Sequence, residues 1–131
     1  MVKVLVDSDI LIDYSKGWGA ALEKVLTNPV QEAYITPVNI AEFLNDKNLK
    51  SKNKYAQALE FLRSFLVEGA DRSVGEKTGE LLRSKQIDYL GDALIAAVCL
   101  EKDMQLMTRN VKHFKRVKGL KFYGVEKKRG N

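Results

Sequence analysis

Cysteine is nearly absent from this chain. Cys99 is the one thiol in 131 residues, so no internal disulfide can form and no Cys-rich metal site exists. That usage fits a reducing, intracellular setting. No apolar run approaches the roughly 20 residues needed to cross a bilayer, and the first apolar run breaks at Asp7, too early for a secretory leader. A cytoplasmic protein without membrane contact is therefore expected. There is no repeat, no low-complexity tract and no linker. With 45% hydrophobic residues, the chain is expected to fold as a single domain over residues 1–131 around one core.

Acidic charge is missing from one end. From Thr108 to Asn131 nine basic residues face Glu126 alone, a net of +8, which leaves −3 for the rest of a chain whose total is +5. An acidic body with a basic flank suits a polyanion bound beside a cation site. A solubilising tail fits the same charge.

The stretch around which the rest is organised is Val2-Lys3-Val4-Leu5-Val6-Asp7-Ser8-Asp9-Ile10-Leu11-Ile12-Asp13. A β-branched run of strand length stops at an acid-hydroxyl-acid triplet, and a helical apolar pattern follows. This predicts a buried strand that delivers Asp7 to its carboxyl end, the edge where open α/β sheets bind ligands. A carboxylate there is costly to desolvate unless a cation or a hydrogen bond meets it. Oxygen ligands favour a hard cation such as Mg²⁺ or Mn²⁺.

Further along, helices are predicted over residues 10–15 and 20–26, and a strand over 32–35. Thr36-Pro37 opens a helix as hydroxyl cap and N1 proline. In that helix Ile40, Phe43 and Leu44 are expected to face the core, with Asn39, Glu42, Asn45 and Asp46 on the other side. A polar break over 47–54 precedes a helix from Tyr55, and the two helices could form a hairpin with edges for a partner or a second copy to cover. A short strand at 65–67, a helix from Ser73 to about Lys85 and a nearly all-apolar helix over 89–100 follow, the last with Asp92 at its positive end. Strands are expected at 104–107 and 120–123, with a helical turn at 111–114 between them. The alternation implies a mostly parallel sheet covered on both faces.

Four segments carry a resemblance: Val6 to Asp13, Ile35 to Phe43, Gly91 to Ala97, and Met107-Thr108-Arg109-Asn110-Val111-Lys112-His113-Phe114. In this order and at this chain length the sequence resembles the PIN-domain ribonucleases and, within them, the toxins of VapB/VapC-type toxin–antitoxin pairs. The resemblance implies a three-layer α/β/α sandwich with a central, mostly parallel four- to five-stranded sheet. It implies an acidic pocket holding Mg²⁺ or Mn²⁺, hydrolysis of RNA to a 5′-phosphate and a 3′-hydroxyl, a cognate antitoxin and a homodimer. The family's acids fall on Asp7, Glu42 and Asp92. Asp9 stands where the family commonly has Asn, and Thr108 where a hydroxyl supports the pocket.

Neither Asn110 nor His113 supplies the fourth acid that family members often carry, so the expected site is three carboxylates and one metal. Asn110 would offer an amide oxygen or orient a water. Asp7 and Asp92 are the expected metal ligands, with Glu42 holding a water or acting as general base. Without metal, such carboxylates should raise each other's pKa.

Arg109, Lys112, His113, Lys115 and Arg116 are the candidate RNA contacts, through phosphate. Each residue also has a plain role available. Asp7 could merely cap a helix, Asp92 could be an N-terminal helix acid, and Glu42 a solvated one. Asp13 and Asp88 are read as structural or surface acids, His113 as a surface residue, Cys99 as a small buried one, and Trp18 as a packing or partner-contact residue that could also stack on a base. Two other readings stand beside the nuclease. One is a degenerate PIN module that binds RNA or protein; the other is a haloacid-dehalogenase-like phosphohydrolase with Asp7 as nucleophile.

Overall fold

The β-branched residues of the first strand set the centre of the molecule. In a computed structural model that describes residues 1–69 and 71–124, β1 (Val2–Val6) lies inside a sheet ordered β3-β2-β1-β4. Its partners are β2 (Gln31–Ile35), β3 (Leu66–Val67) at one edge and β4 (Gln105–Met107) at the other. Every pairing is parallel, with Val4 opposite Ala33 on one side and Val6 opposite Met107 on the other. The chain steps outward from β1 to β3 and then returns past β1 to form β4, so the strand order reverses between β1 and β4. That reversal opens a crevice at the carboxyl edge of the sheet.

Side chains alternate across a strand, and here the alternation builds two cores. Val4 and Val6 pack with Ile10 and Leu11 of α1 (Ser8–Ser15), Leu22 and Val25 of α2 (Ala20–Thr27), Phe43 of α3 (Pro37–Leu44) and Ala58 and Leu62 of α4 (Lys52–Leu62). Leu5 faces the opposite layer, where it joins Val74 and Leu81 of α5 (Arg72–Arg83), the apolar run of α6 (Leu90–Lys102) and Phe114 of α7 (Val111–Phe114). The result is the expected α/β/α sandwich. Cys99 is buried within the second core. Among the described residues no helix is long and apolar enough to cross a membrane.

One predicted element shrinks. The strand expected at Leu120–Tyr123 contributes a single parallel bridge, Leu106 to Phe122, flanked by hydrogen bonds from Leu106 N to Lys121 O (2.9 Å) and from Tyr123 N to Leu106 O (2.8 Å). The neighbouring β4 is only three residues long, too short to register a longer partner. Of the basic flank, Lys127, Lys128 and Arg129, with Glu126, lie outside the described residues.

Candidate active site

Asp7 ends β1 at the crevice. Its backbone N–H donates to Met107 O of β4 (2.9 Å), which fixes the residue beside the strand reversal. Its carboxylate accepts from Ser8 N (2.8 Å) and from the Thr108 hydroxyl (2.8 Å). Asp7 is also the N-cap of α1, so the plain role is real. The surroundings are not those of an ordinary cap, because the residue is only 6% exposed. Burial above all, then the charge of Asp9 and, more weakly, that of Asp92 push its carboxyl from 3.8 up to about 7, against the pull of the two hydrogen bonds. Buried acids with pKa values displaced by their neighbours mark functional sites.

Glu42 reaches this centre through a residue that the sequence pattern did not single out. Ser8 Oγ donates to Glu42 Oε1 (2.5 Å) and accepts from Asn39 Nδ2 (3.1 Å). Asn39 Oδ1 in turn accepts from the backbone N–H and the hydroxyl of Thr36, both at 2.8 Å, closing a capping box over the start of α3. Asn39 was expected on the outward side of α3, but it is 0% exposed. The correction has a simple cause. Asn39 precedes Phe43 by four residues and so shares its buried face. Its amide is tolerated there because the capping box and Ser8 satisfy it. The one available signal was the Thr36-Pro37 cap, which calls for a polar partner at the third helical position.

Asp92 lies in the first turn of α6, where its Oδ2 is 3.3 Å from His113 Nδ1. His113, expected at the surface, is half-buried against this acid. Asp9 Oδ2 accepts from the Arg109 backbone N–H (2.9 Å), while Asp9 Oδ1 is buried without a hydrogen-bond partner. Burial raises the Asp9 carboxyl as well. Asn110 contributes its backbone rather than its amide: its N–H donates to Thr108 Oγ1 (3.0 Å) and its side chain is exposed.

The basic candidates divide. Arg109 grips buried Asp13 of α1 with Nε at 2.6 Å and a second nitrogen at 3.1 Å, so its guanidinium is tied to the fold. Arg116 holds Asp88 (2.9 Å) and Lys85 O (2.8 Å), tying the loop before α6 to the end of α7. Lys112 and Lys115 remain exposed beside His113.

The structure thus brings Asp7, Asp9 and Asp92 into electrostatic contact and joins Glu42 to them through Ser8. It does not preassemble a cage: among the described residues no three His, Cys, Asp or Glu side chains are grouped so as to hold one metal ion. Ser8 donates to Glu42, and His113 lies against Asp92. The donors still suit a hard cation. They are all oxygen, one buried Asp9 oxygen lacks a donor, and Mg²⁺ usually takes one or two carboxylates and keeps its waters.

A buried aspartate at the strand reversal of a parallel sheet, ringed by acids from three helices, defines an α/β/α protein with an acid pocket at its carboxyl edge. Residues 4–120 match the PIN domain family, and the chain belongs to it. It is 31% identical over 126 residues to Ribonuclease VapC10 of Mycobacterium tuberculosis (strain CDC 1551 / Oshkosh), covering 90% of each chain. Its fold is similar to that of VapBC2 from Rickettsia felis bound to a promoter DNA fragment (TM-score 0.76, 22% identity, 95% of this chain and 100% of the other). It is also similar to a toxin–antitoxin complex from Klebsiella pneumoniae (TM-score 0.74, 24% identity, 93% and 99%). DNA-bound VapBC from Salmonella typhimurium gives a TM-score of 0.76 at 21% identity over 94% and 98% of the two chains.

Proposed function

We propose that this chain is a Mg²⁺- or Mn²⁺-dependent endoribonuclease, acting through a single PIN-like domain in the cytoplasm. It is the toxin of a type II toxin–antitoxin pair, forms a homodimer and is held by a cognate antitoxin. The observation that carries the reading is the Asp7 carboxyl, buried at the strand reversal and raised to about 7 beside Asp9 and Asp92. Family membership and the ribonuclease relative turn that acid pocket toward RNA. They also leave no support for the dehalogenase-like alternative.

Asp7 and Asp92 would hold the ion. When bound, a divalent cation polarises the scissile phosphate and acidifies water. Glu42 takes the proton of the attacking water, and Ser8 holds one of its oxygens in place. Thr108 fixes the Asp7 carboxylate against β4, with its hydroxyl in turn held by Asn110 N–H. Lys112 and Lys115 attract the RNA backbone at the pocket's rim. Attack at phosphorus breaks the P–O3′ bond, so the products are a 5′-phosphate and a 3′-oxygen that takes a proton from solvent to become the 3′-hydroxyl.

The test is purified protein incubated with total RNA in Mg²⁺, Mn²⁺ or EDTA, beside Asp7→Asn. Discrete cleavage products with metal, absent in EDTA and absent with the variant, support the reading. Equal cleavage by wild type and variant overturns it. A degenerate module keeps one observation in its favour, the lack of a three-ligand group among the described residues. Titration calorimetry with Mn²⁺ separates the two: binding that Asp7→Asn and Asp92→Asn abolish belongs to the enzyme, and no binding belongs to the module.

A further inference from the structure

Tyr89 is the most exposed aromatic residue among those described, with 62% of its surface open. It is the N-cap of α6, in extended conformation, and stands one turn before Asp92. One side of its ring meets His113, with centroids 5.9 Å apart and planes inclined by 45°. The same imidazole is 3.3 Å from the Asp92 carboxylate. The ring is therefore one side chain removed from the acid pocket, backed on one side and open elsewhere. Other aromatics are used by the fold: Tyr14 stacks on Phe61 at 5.1 Å, and Tyr123 donates to Gln31.

We propose that Tyr89 is a base-stacking residue that receives an unpaired nucleotide next to the scissile phosphate. This deepens the ribonuclease reading and rests on it. Sites for single strands pair an aromatic face with cations that follow the backbone. Lys112 and Lys115 supply those cations from the short helix that carries His113 and the residue just after it. A duplex cannot reach the ring, because its bases are already stacked on each other. Leu90 and Val111 are exposed nearby and would suit a protein contact. The link from Tyr89 through His113 to the catalytic acid favours the nucleotide, because it couples the ring to the pocket rather than to an apolar face.

The test uses a labelled single-stranded RNA spanning a cleavage site mapped in total RNA. The same strand is prepared with an abasic nucleotide at each position around the cut, and as a duplex. Tyr89→Phe should cleave as wild type does. Tyr89→Ala should raise KM about tenfold, the loss expected when one base–aromatic stack is removed, with kcat within about threefold. An abasic nucleotide at one position should cost wild type the same factor and cost Tyr89→Ala nothing more, since the two changes delete one interaction. Unchanged KM in Tyr89→Ala overturns the proposal. So does a loss that is equal on intact and abasic strands, or an altered oligomeric state with unaltered cleavage. Because the residue is exposed, a melting curve is expected to show the variant folded; Tyr89→Leu gives a second variant.

A binding arm keeps this test apart from that of the nuclease reading. Anisotropy of the labelled strand in EDTA needs no chemistry. Tighter binding by wild type than by Tyr89→Ala supports stacking even where no RNA is cleaved, and equal binding overturns it even where RNA is cleaved.

Discussion

Asp7 and Asp71 hold the same local post. Each is the N-cap of a helix, and each accepts a hydrogen bond from a backbone N–H at that helix's start, Asp7 from Ser8 and Asp71 from Val74 (3.0 Å). Their electrostatics run in opposite directions. Asp71 is exposed and meets Lys102 Nζ at 2.6 Å, and that contact above all, with its backbone and Ser73 bonds, holds its carboxyl down to about 2. Asp7 is buried among other acids and is pushed up to about 7. The cap position therefore says little about an aspartate's purpose. What separates a structural acid from a working one is whether water and a cation reach it. At Asp7 the fold carries a destabilised charge, the usual mark of a site whose partner arrives from outside.

Replacing Asp7 gives the largest expected effect, with two readouts of opposite sign. Asp7→Asn should lower RNA cleavage by more than about 100-fold, since even supporting residues around metal sites are commonly worth 10–100-fold. The same change should raise the stability of metal-free protein at pH 8. The sign follows from linkage. The folded pKa of Asp7 lies above its value of 3.8 in the unfolded chain, so the folded state binds the extra proton between those limits. Its contribution is fully present below about pH 4 and is lost as pH rises through about 7. The full span corresponds to at most about 4 kcal/mol at 1.36 kcal/mol per unit. Thermal melts in EDTA should show the variant several degrees above wild type at pH 8, with the gap closing near pH 4. A variant less stable than wild type at pH 8 would return Asp7 to the role of a plain cap.

Ser8 comes next. Ser8→Ala removes the group that holds Glu42 Oε1 and leaves Asn39 Nδ2 without its acceptor. Cleavage should fall about 10–100-fold, mainly in kcat, as is typical for residues that orient a reacting group. Stability should fall by about 1–3 kcal/mol for the unsatisfied buried amide. Ser8→Thr, which keeps the hydroxyl, should recover much of the rate. A loss of stability of that size with unchanged kcat would show that Glu42 needs no such support.

The two kinds of basic residue are expected to separate on salt. Lys112→Ala with Lys115→Ala should weaken RNA binding and lower the slope of log affinity against log salt by about 1–2, one for each phosphate no longer neutralised. Arg109→Ala should leave that slope alone. It should instead cost about 1 kcal/mol of stability, because it removes one group that faces Asp13 from a pair that is part-exposed. Anisotropy across a salt series and a urea melt measure the two effects.

These residues also show what was legible beforehand. Asp7, Asp92 and the layer order could be read because each depends on local chain direction: an apolar strand ending in an acid, an apolar helix beginning with one. Glu42 was named on the resemblance alone, the Thr36-Pro37 cap giving only the helix that carries it. Ser8 and Asn39 were missed because a division into polar and apolar faces assigns an amide outward, whereas a capping box and a partner 31 residues away allow it inside. The tie of Arg109 to Asp13 was illegible for a related reason. Its charge is visible in the sequence, but Asp13 lies 96 residues earlier, and only the fold brings them together. Charge counts find cations without telling which are already committed.

Asp71→Asn is the smallest expected effect and the one that sharpens the comparison. Asparagine is itself a good N-cap, so the bond to Val74 N–H survives in kind. The variant gives up the pairing with Lys102, an exposed pair of modest worth that salt screens. Here the folded pKa lies below the unfolded value of 3.8, so the contribution is present above about pH 4 and is lost as pH falls toward about 2. The variant should therefore melt slightly below wild type at pH 7, less so in 1 M salt, and together with it near pH 2. Asp7→Asn in the same series moves the other way, with its gain greatest at alkaline pH. If both asparagine variants shifted melting in the same direction at pH 8, burial and neighbouring charge would not be what distinguishes the two aspartates, and the acid pocket would lose its electrostatic warrant.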